Sequence, residues 1–93
     1  MFYTNEELEE YKNELIADYK NRRNETYPEA NLMMNWLRNT TIDIDSMLDN
    51  AEITLWQYEE LSSLLDEWVL HQNQVLNDAR DKWNHSNQLK GGN

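Results

Sequence analysis

Cysteine is missing from the chain, proline occurs only at 28 and glycine only at 91 and 92. Without cysteine there are no disulfides, no thiol catalysis and no thiolate metal sites. With so little glycine and proline, tight hairpins and glycine-shaped ligand loops are scarce, and long uninterrupted helices are favoured. Long apolar runs are also missing: none approaches the roughly 20 residues that a membrane span needs. The opening "MFYTNEELEE" turns acidic within six residues and has no apolar core, so a signal peptide is not expected and a cytoplasmic protein is. Asn24-Glu25-Thr26 and Asn39-Thr40-Thr41 match the glycosylation pattern, which without secretion has no consequence.

Base is the remaining scarcity. The formal net charge is −10, and between Asn39 and Ala79 there are nine acids (Asp43, Asp45, Asp49, Glu52, Glu59, Glu60, Asp66, Glu67, Asp78) and neither lysine nor arginine. Nucleic acid and anionic membrane both require a basic footprint, so direct binding to either is not expected. A protein with a basic surface, such as one that itself binds nucleic acid, is the natural complement.

At 93 residues the chain makes a single helical domain that buries only roughly 60–65% of its unfolded surface. Thr4 and Glu7 have capping-box spacing, with Tyr3 and Leu8 as a hydrophobic staple. Leu8, Tyr11, Leu15 and Tyr19 then recur at helical intervals, with Ile16 at the margin. Acids lead this segment and Lys20, Arg22 and Arg23 end it, the order that a helix dipole favours. Thr26 to Glu29, with Pro28 in the first turn, opens a second helix over "ANLMMNWLRN". Its Leu32, Met33, Met34, Trp36 and Leu37 cover more than half the circumference, which suits either a central core helix or an interface with another chain. Asp43 is placed to cap a third, short helix on which Ile44, Met47, Leu48 and Ala51 share a face. Thr54 and Gln57 form a further capping box, so a last helix runs from Leu55 with no breaker before Gly91; fraying is expected near Asn84, making 85–93 a tail.

On that helix Tyr58, Leu61, Leu65, Trp68, Gln72, Val75 and Ala79 make one line, and Leu55, Val69, Leu76 and Trp83 a second beside it. A stripe this broad suits a helix buried against two neighbours. The expected fold is all-α, a small bundle of three to four helices in which a long C-terminal helix packs against two or three shorter ones. Residues 44–65, "IDSMLDNAEITLWQYEELSSLL", resemble the short C-terminal helical module at the ends of many bacterial proteins, a small helix leading through Ile-Thr into one with an aromatic and paired leucines. Asn50-Ala51 stands at that module's turn glycine and Gln57 at its glutamate, and capping alone generates the pattern, so no function is inferred from it.

Reaction chemistry finds few candidates. His71 and His85 lie roughly 21 Å apart along one helix and cannot share a metal. Asp43 and Asp45 open like a calcium loop, but Leu48 and Thr54 stand where that loop needs glycine and glutamate. Acid chemistry needs a carboxyl held in an apolar pocket, whereas pairs such as Glu6/Glu10, Glu60/Glu67 and Asp78/Asp81 lie on arcs that the pattern predicts to be wet. Ser62, Ser63 and Ser86 have neither a base at turn spacing nor a glycine elbow. No enzyme, metal or cofactor is expected. Gln72, the one polar residue in the core lines, is either the start of a thinning stripe or a buried amide that sets register.

Trp56 and Leu70 depart from the inward pattern, two heptads apart on the outward line with Glu60, Ser63 and Glu67 around them. Three fates are open to Trp56: the third helix and its linker fold over it, the chain dimerises through it, or it anchors a partner. The expected binding surface is Asp43, Asp45, Asp49, Glu52, Trp56, Glu59, Glu60, Ser63, Asp66, Glu67 and Leu70. The expected function is a non-enzymatic acidic module, an inhibitor or adaptor that docks a basic partner; in composition it resembles phage-encoded inhibitors and DNA mimics, which implies a host-cytoplasm setting. The alternative is a homo-oligomeric structural or assembly protein, a homodimer at simplest, joined through Leu32, Met33, Met34, Trp36 and Leu37.

Overall fold

The computed structural model describes the backbone of residues 2–91 and the side chains of residues 2–86, and among these it contains three helices and no strand: α1 (Asn5–Asn21), α2 (Tyr27–Asp49) and α3 (Leu55–Gly91). The tail expected at 85–93 lies outside the described residues in its last two positions and in its side chains from 87 onward.

Two helices open with a complete capping box, and α3 opens with the same reciprocal pair. Glu7 N–H donates to Thr4 Oγ1 while Thr4 N–H donates to Glu7 Oε1, both at 3.1 Å. Thr26 and Glu29 repeat the exchange at 3.3 and 3.1 Å, and Thr54 and Gln57 at 3.2 and 2.9 Å. The N–H groups of Thr26 and Glu25 both point at the Glu29 carboxylate and hold its pKa below the ordinary value. Its support for the α2 cap is therefore complete above the unfolded carboxylate pKa and is lost as pH falls through the lower folded value.

The separate third helix is not found, because α2 continues through Asn39-Thr40-Thr41 to Asp49. Thr40 and Thr41 turn their hydroxyls back onto the carbonyls of Trp36 and Leu37 at 2.8 and 2.9 Å, so neither interrupts the ladder. Ala30, Met33, Leu37, Thr40 and Ile44 then form one buried line with spacings of three and four. Breaking the helix at Asp43 would remove Ile44 from that line, and Asp43 instead lies mid-helix. Termination comes at Asn50-Ala51, where Ala51 N–H donates to Leu48 O at 3.1 Å and Glu52 N–H to Met47 O at 2.8 Å. This is a Schellman motif whose left-handed position, φ 57°, is filled by Ala51 where glycine is usual.

Helix directions follow from paired positions. On α1 and α3 both numbers rise together: Lys12 Nζ meets Glu60 Oε1 at 2.9 Å and Tyr19 stacks on Trp68 at 4.3 Å between centroids. Along α2 they run oppositely, Tyr58 donating to Asp45 at 2.7 Å while Trp36 faces Trp68 and Tyr27 faces Trp83. Thus α1 and α3 are parallel and α2 is antiparallel to both. The Cα envelope is 62 × 22 × 15 Å, a cross-section that holds three helices at an interaxial distance of about 9 Å and leaves the far side of the α2·α3 pair bare.

Leu8, Leu15, Met33, Leu37, Ile44, Ile53, Leu61 and Leu65 form the core, edged by Tyr19, Trp36 and Trp68. Arg22 lies 4.4 Å over the Trp36 ring. Gln72 is buried to 0% exposure and exchanges two hydrogen bonds with Asn24 in the α1–α2 linker, at 2.8 and 2.6 Å. It is a buried, paired amide suited to setting register, and the stripe also thins beyond it, where Val75, Leu76 and Ala79 are half-buried and Trp83 is exposed. Gln57, also buried, donates through Nε2 to Tyr3 O and Asn5 Oδ1 at 3.2 Å each.

Asn24→Ala is expected to lower the unfolding free energy by about 1–3 kcal/mol in urea denaturation, because it leaves the Gln72 amide buried and unpaired. Adding Gln72→Leu should recover part of that loss; a strictly additive double mutant would contradict the pairing. Ala51→Gly should stabilise the chain by about 0.5–1 kcal/mol in the same assay, because glycine takes the left-handed conformation without the Cβ clash.

Candidate partner-binding surface

Trp56 begins the second position of α3 and is 82% exposed, and Leu70 is 75% exposed. With α2 unbroken, no separate short helix folds over the indole, so of the three fates open to Trp56 the covering one is not found. Ser63, Glu59, Glu60 and Glu67 are exposed along the same outward side of α3. The Glu60 carboxylate is held by Lys12, whose ammonium is shifted upward in pKa by that hydrogen bond.

The other predicted residues separate. Asp45 lies on the α3-facing flank of α2 and accepts the Tyr58 hydroxyl, which raises the tyrosine's pKa. Asp43 lies toward α1, where it adds to the upward shift that burial imposes on Tyr11. Asp49 ends α2 and Glu52 follows in the turn. Asp66 lines a groove between α2 and α3, together with Arg38. Leu70 is two heptads from Trp56, roughly 21 Å along the helix. The eleven residues therefore do not form one patch: those from Asp43 to Glu60 cluster toward one end, Glu67 and Leu70 continue along the ridge, and Asp66 turns onto another face.

At that end the fold adds what the sequence pattern did not include. Tyr3 N–H donates to Glu52 O at 2.8 Å, and Gln57 holds Tyr3 and Asn5, so the segment leading into α1 lies against the start of α3. Phe2, Tyr3, Leu55 and Trp56 are all exposed around this clasp. The parallel course of α1 also brings Glu6, Glu7, Glu9 and Glu10 to the end where Asp45, Asp49 and Glu52 already lie. These glutamates cap α1 favourably and gave no separate signal. Asp45 and Asp49 do the reverse: they load the C-terminal turns of α2, which has no basic residue in its last turn, against its own dipole.

Of the residues considered for an oligomer interface, Met33 and Leu37 are buried within the chain and Trp36 is half-buried between Tyr19, Trp68 and Arg22. A second copy cannot reach Met33 or Leu37 without opening the bundle. Leu32 is exposed beside Arg22 and Arg23, and Met34 lines the α2·α3 groove.

Among the described residues no three His, Asp or Glu side chains are grouped to hold a metal ion, and no helix is long and apolar enough to cross a membrane. No protein family, characterised protein or solved structure matches the chain.

Trp56→Ala should change the unfolding free energy by less than about 0.5 kcal/mol, since nothing in the chain covers the ring. Trp68→Ala, which removes the centre of the aromatic stack, should lower it by about 3 kcal/mol. Urea denaturation of both variants tests the contrast.

Proposed function

We propose that this protein is a non-enzymatic binding module, of the inhibitor or adaptor class, that presents an acidic, aromatic end to a basic surface on a partner protein. The exposed Trp56, set among carboxylates drawn from all three helices, carries the reading. An indole uncovered by its own chain is a costly surface to leave in water, and the residue type is the commonest interface anchor. Carboxylates placed against the α2 dipole raise the energy of the free protein, and a partner's lysines and arginines relieve that repulsion. In this reading α3 is the long helix against which α1 and α2 pack as shorter supports. The setting is cytoplasmic, and the partner is a protein whose basic groove ordinarily takes nucleic acid, as for a DNA mimic.

The test is capture of binding proteins from cell extract on immobilised protein, followed by calorimetric titration of the captured species. Binding should weaken steeply between about 0.05 and 0.5 M salt, as expected of exposed charges. Trp56→Ala should weaken it at least about tenfold, and Glu59→Lys with Glu60→Lys should weaken it and flatten the salt dependence. Binding indifferent to salt and to all three substitutions would overturn the proposal.

A further inference from the structure

One cavity belongs to neither the acidic end nor the outward ridge. It is an open groove of about 500 Å³ on the side of the α2·α3 pair away from α1, and no α1 residue lines it. Met34 and Ile42 of α2 and Val69 and Leu76 of α3 form its apolar floor. Ile42 is exposed, a β-branched residue left in water at the middle of a helix.

Two opposite charges stand on opposite banks: Arg38 on α2 and Asp66 on α3. Both are exposed, and among the described residues the only ion pair is Lys12–Glu60, so neither has a charged partner among the described side chains. Arg38 is also the one base near the centre of α2, just before the stretch from Asn39 to Ala79 that contains none.

We infer that this groove is closed by a second copy of the chain, with a twofold axis running along it, so that Arg38 of each copy meets Asp66 of the other. Such an axis lays α2 of one copy on α3 of the other. Because α2 and α3 are antiparallel within the chain, every neighbouring pair across the interface is antiparallel too, which is the arrangement of a four-helix bundle. The interface is isologous and self-complementary: two ion pairs form from two groove residues, and the apolar floors meet between them. Any other helix in the groove would need an acid for Arg38 and a base for Asp66 at matching height, whereas a copy of this chain supplies both. Trp56 lies well round α3 from this face and stays free. The same axis sets the two acidic ends side by side, so the dimer binds at physiological salt, where their repulsion is screened, and offers a partner two anchors.

Sedimentation velocity over a concentration series at about 0.15 M salt tests the assembly. The expected result is a concentration-dependent shift from 11.2 kDa to twice that mass. Arg38→Glu and Asp66→Lys should each raise the dimer dissociation constant about tenfold or more, and the double swap should return it to within about threefold of the original. Circular dichroism confirms that the variants, altered only at exposed positions, remain helical. A monomer throughout the series overturns the inference; so does a dimer that ignores the single reversals, or one that the double swap does not restore. Trp56→Ala should leave the dimer unchanged, which separates this interface from the acidic end.

Discussion

Two glutamines of α3 decide how the rest of the molecule is arranged. Gln57 takes hold of the chain just before and at the start of α1, and Gln72, fifteen residues on, takes hold of the linker just after it. At helical rise they stand roughly 22 Å apart, close to the length of the segment that they bracket. Neither amide has water to fall back on, so each must find its partner in the chain, and only one register of α1 on α3 satisfies both. Hydrophobic contact between Leu8, Leu15, Leu61 and Leu65 supplies attraction but is non-directional. The amides turn that attraction into a unique alignment.

The charge distribution follows from that alignment. A parallel α1 and α3 with an antiparallel α2 gather the acidic start of α1, the acidic finish of α2 and the carboxylates early in α3 at one end. Lys20, Arg22 and Arg23 are carried away from it, toward the level of Trp36 and Trp68, where Arg22 covers an indole. The protein is thus polarised along its length, although each helix alone shows mostly ordinary dipole matching. Lys12–Glu60, the one ion pair among the described side chains, is a surface contact of about 0–1 kcal/mol and does not hold the fold.

The three-helix section explains the remaining exposed apolar groups. Three helices close only part of the circumference of α3: α1 and α2 cover one arc of it and leave the rest open. The flank of α2 and α3 away from α1 keeps Ile42, Met34, Val69 and Leu76 at a groove, and the ridge farther round keeps Trp56 and Leu70. These faces are distinct: the groove lies between α2 and α3, and Trp56 lies on the outward ridge of α3.

Helical class, all three helix starts, the inward line of α1 and the first inward line of α3 are legible in the sequence, because capping boxes and three-four spacing are local and operate within a single turn or stripe; of the second line expected on α3, Leu55 and Trp83 are exposed and Val69 and Leu76 line the open groove. The continuity of α2 was also within reach: the spacing from Ala30 through Met33, Leu37 and Thr40 to Ile44 never breaks, but the capping signal at Asp43 competes with it. What no local pattern contains is which element lies beside which. The roles of Gln57 and Gln72 depend on Asn5 and Asn24 brought from about fifty positions away, and the gathering of α1 carboxylates at the end that carries Trp56 depends on helix direction. Covering or exposing Trp56, and leaving Arg38 and Asp66 facing across a groove, are likewise decided by tertiary packing, since both depend on where a neighbouring helix is absent.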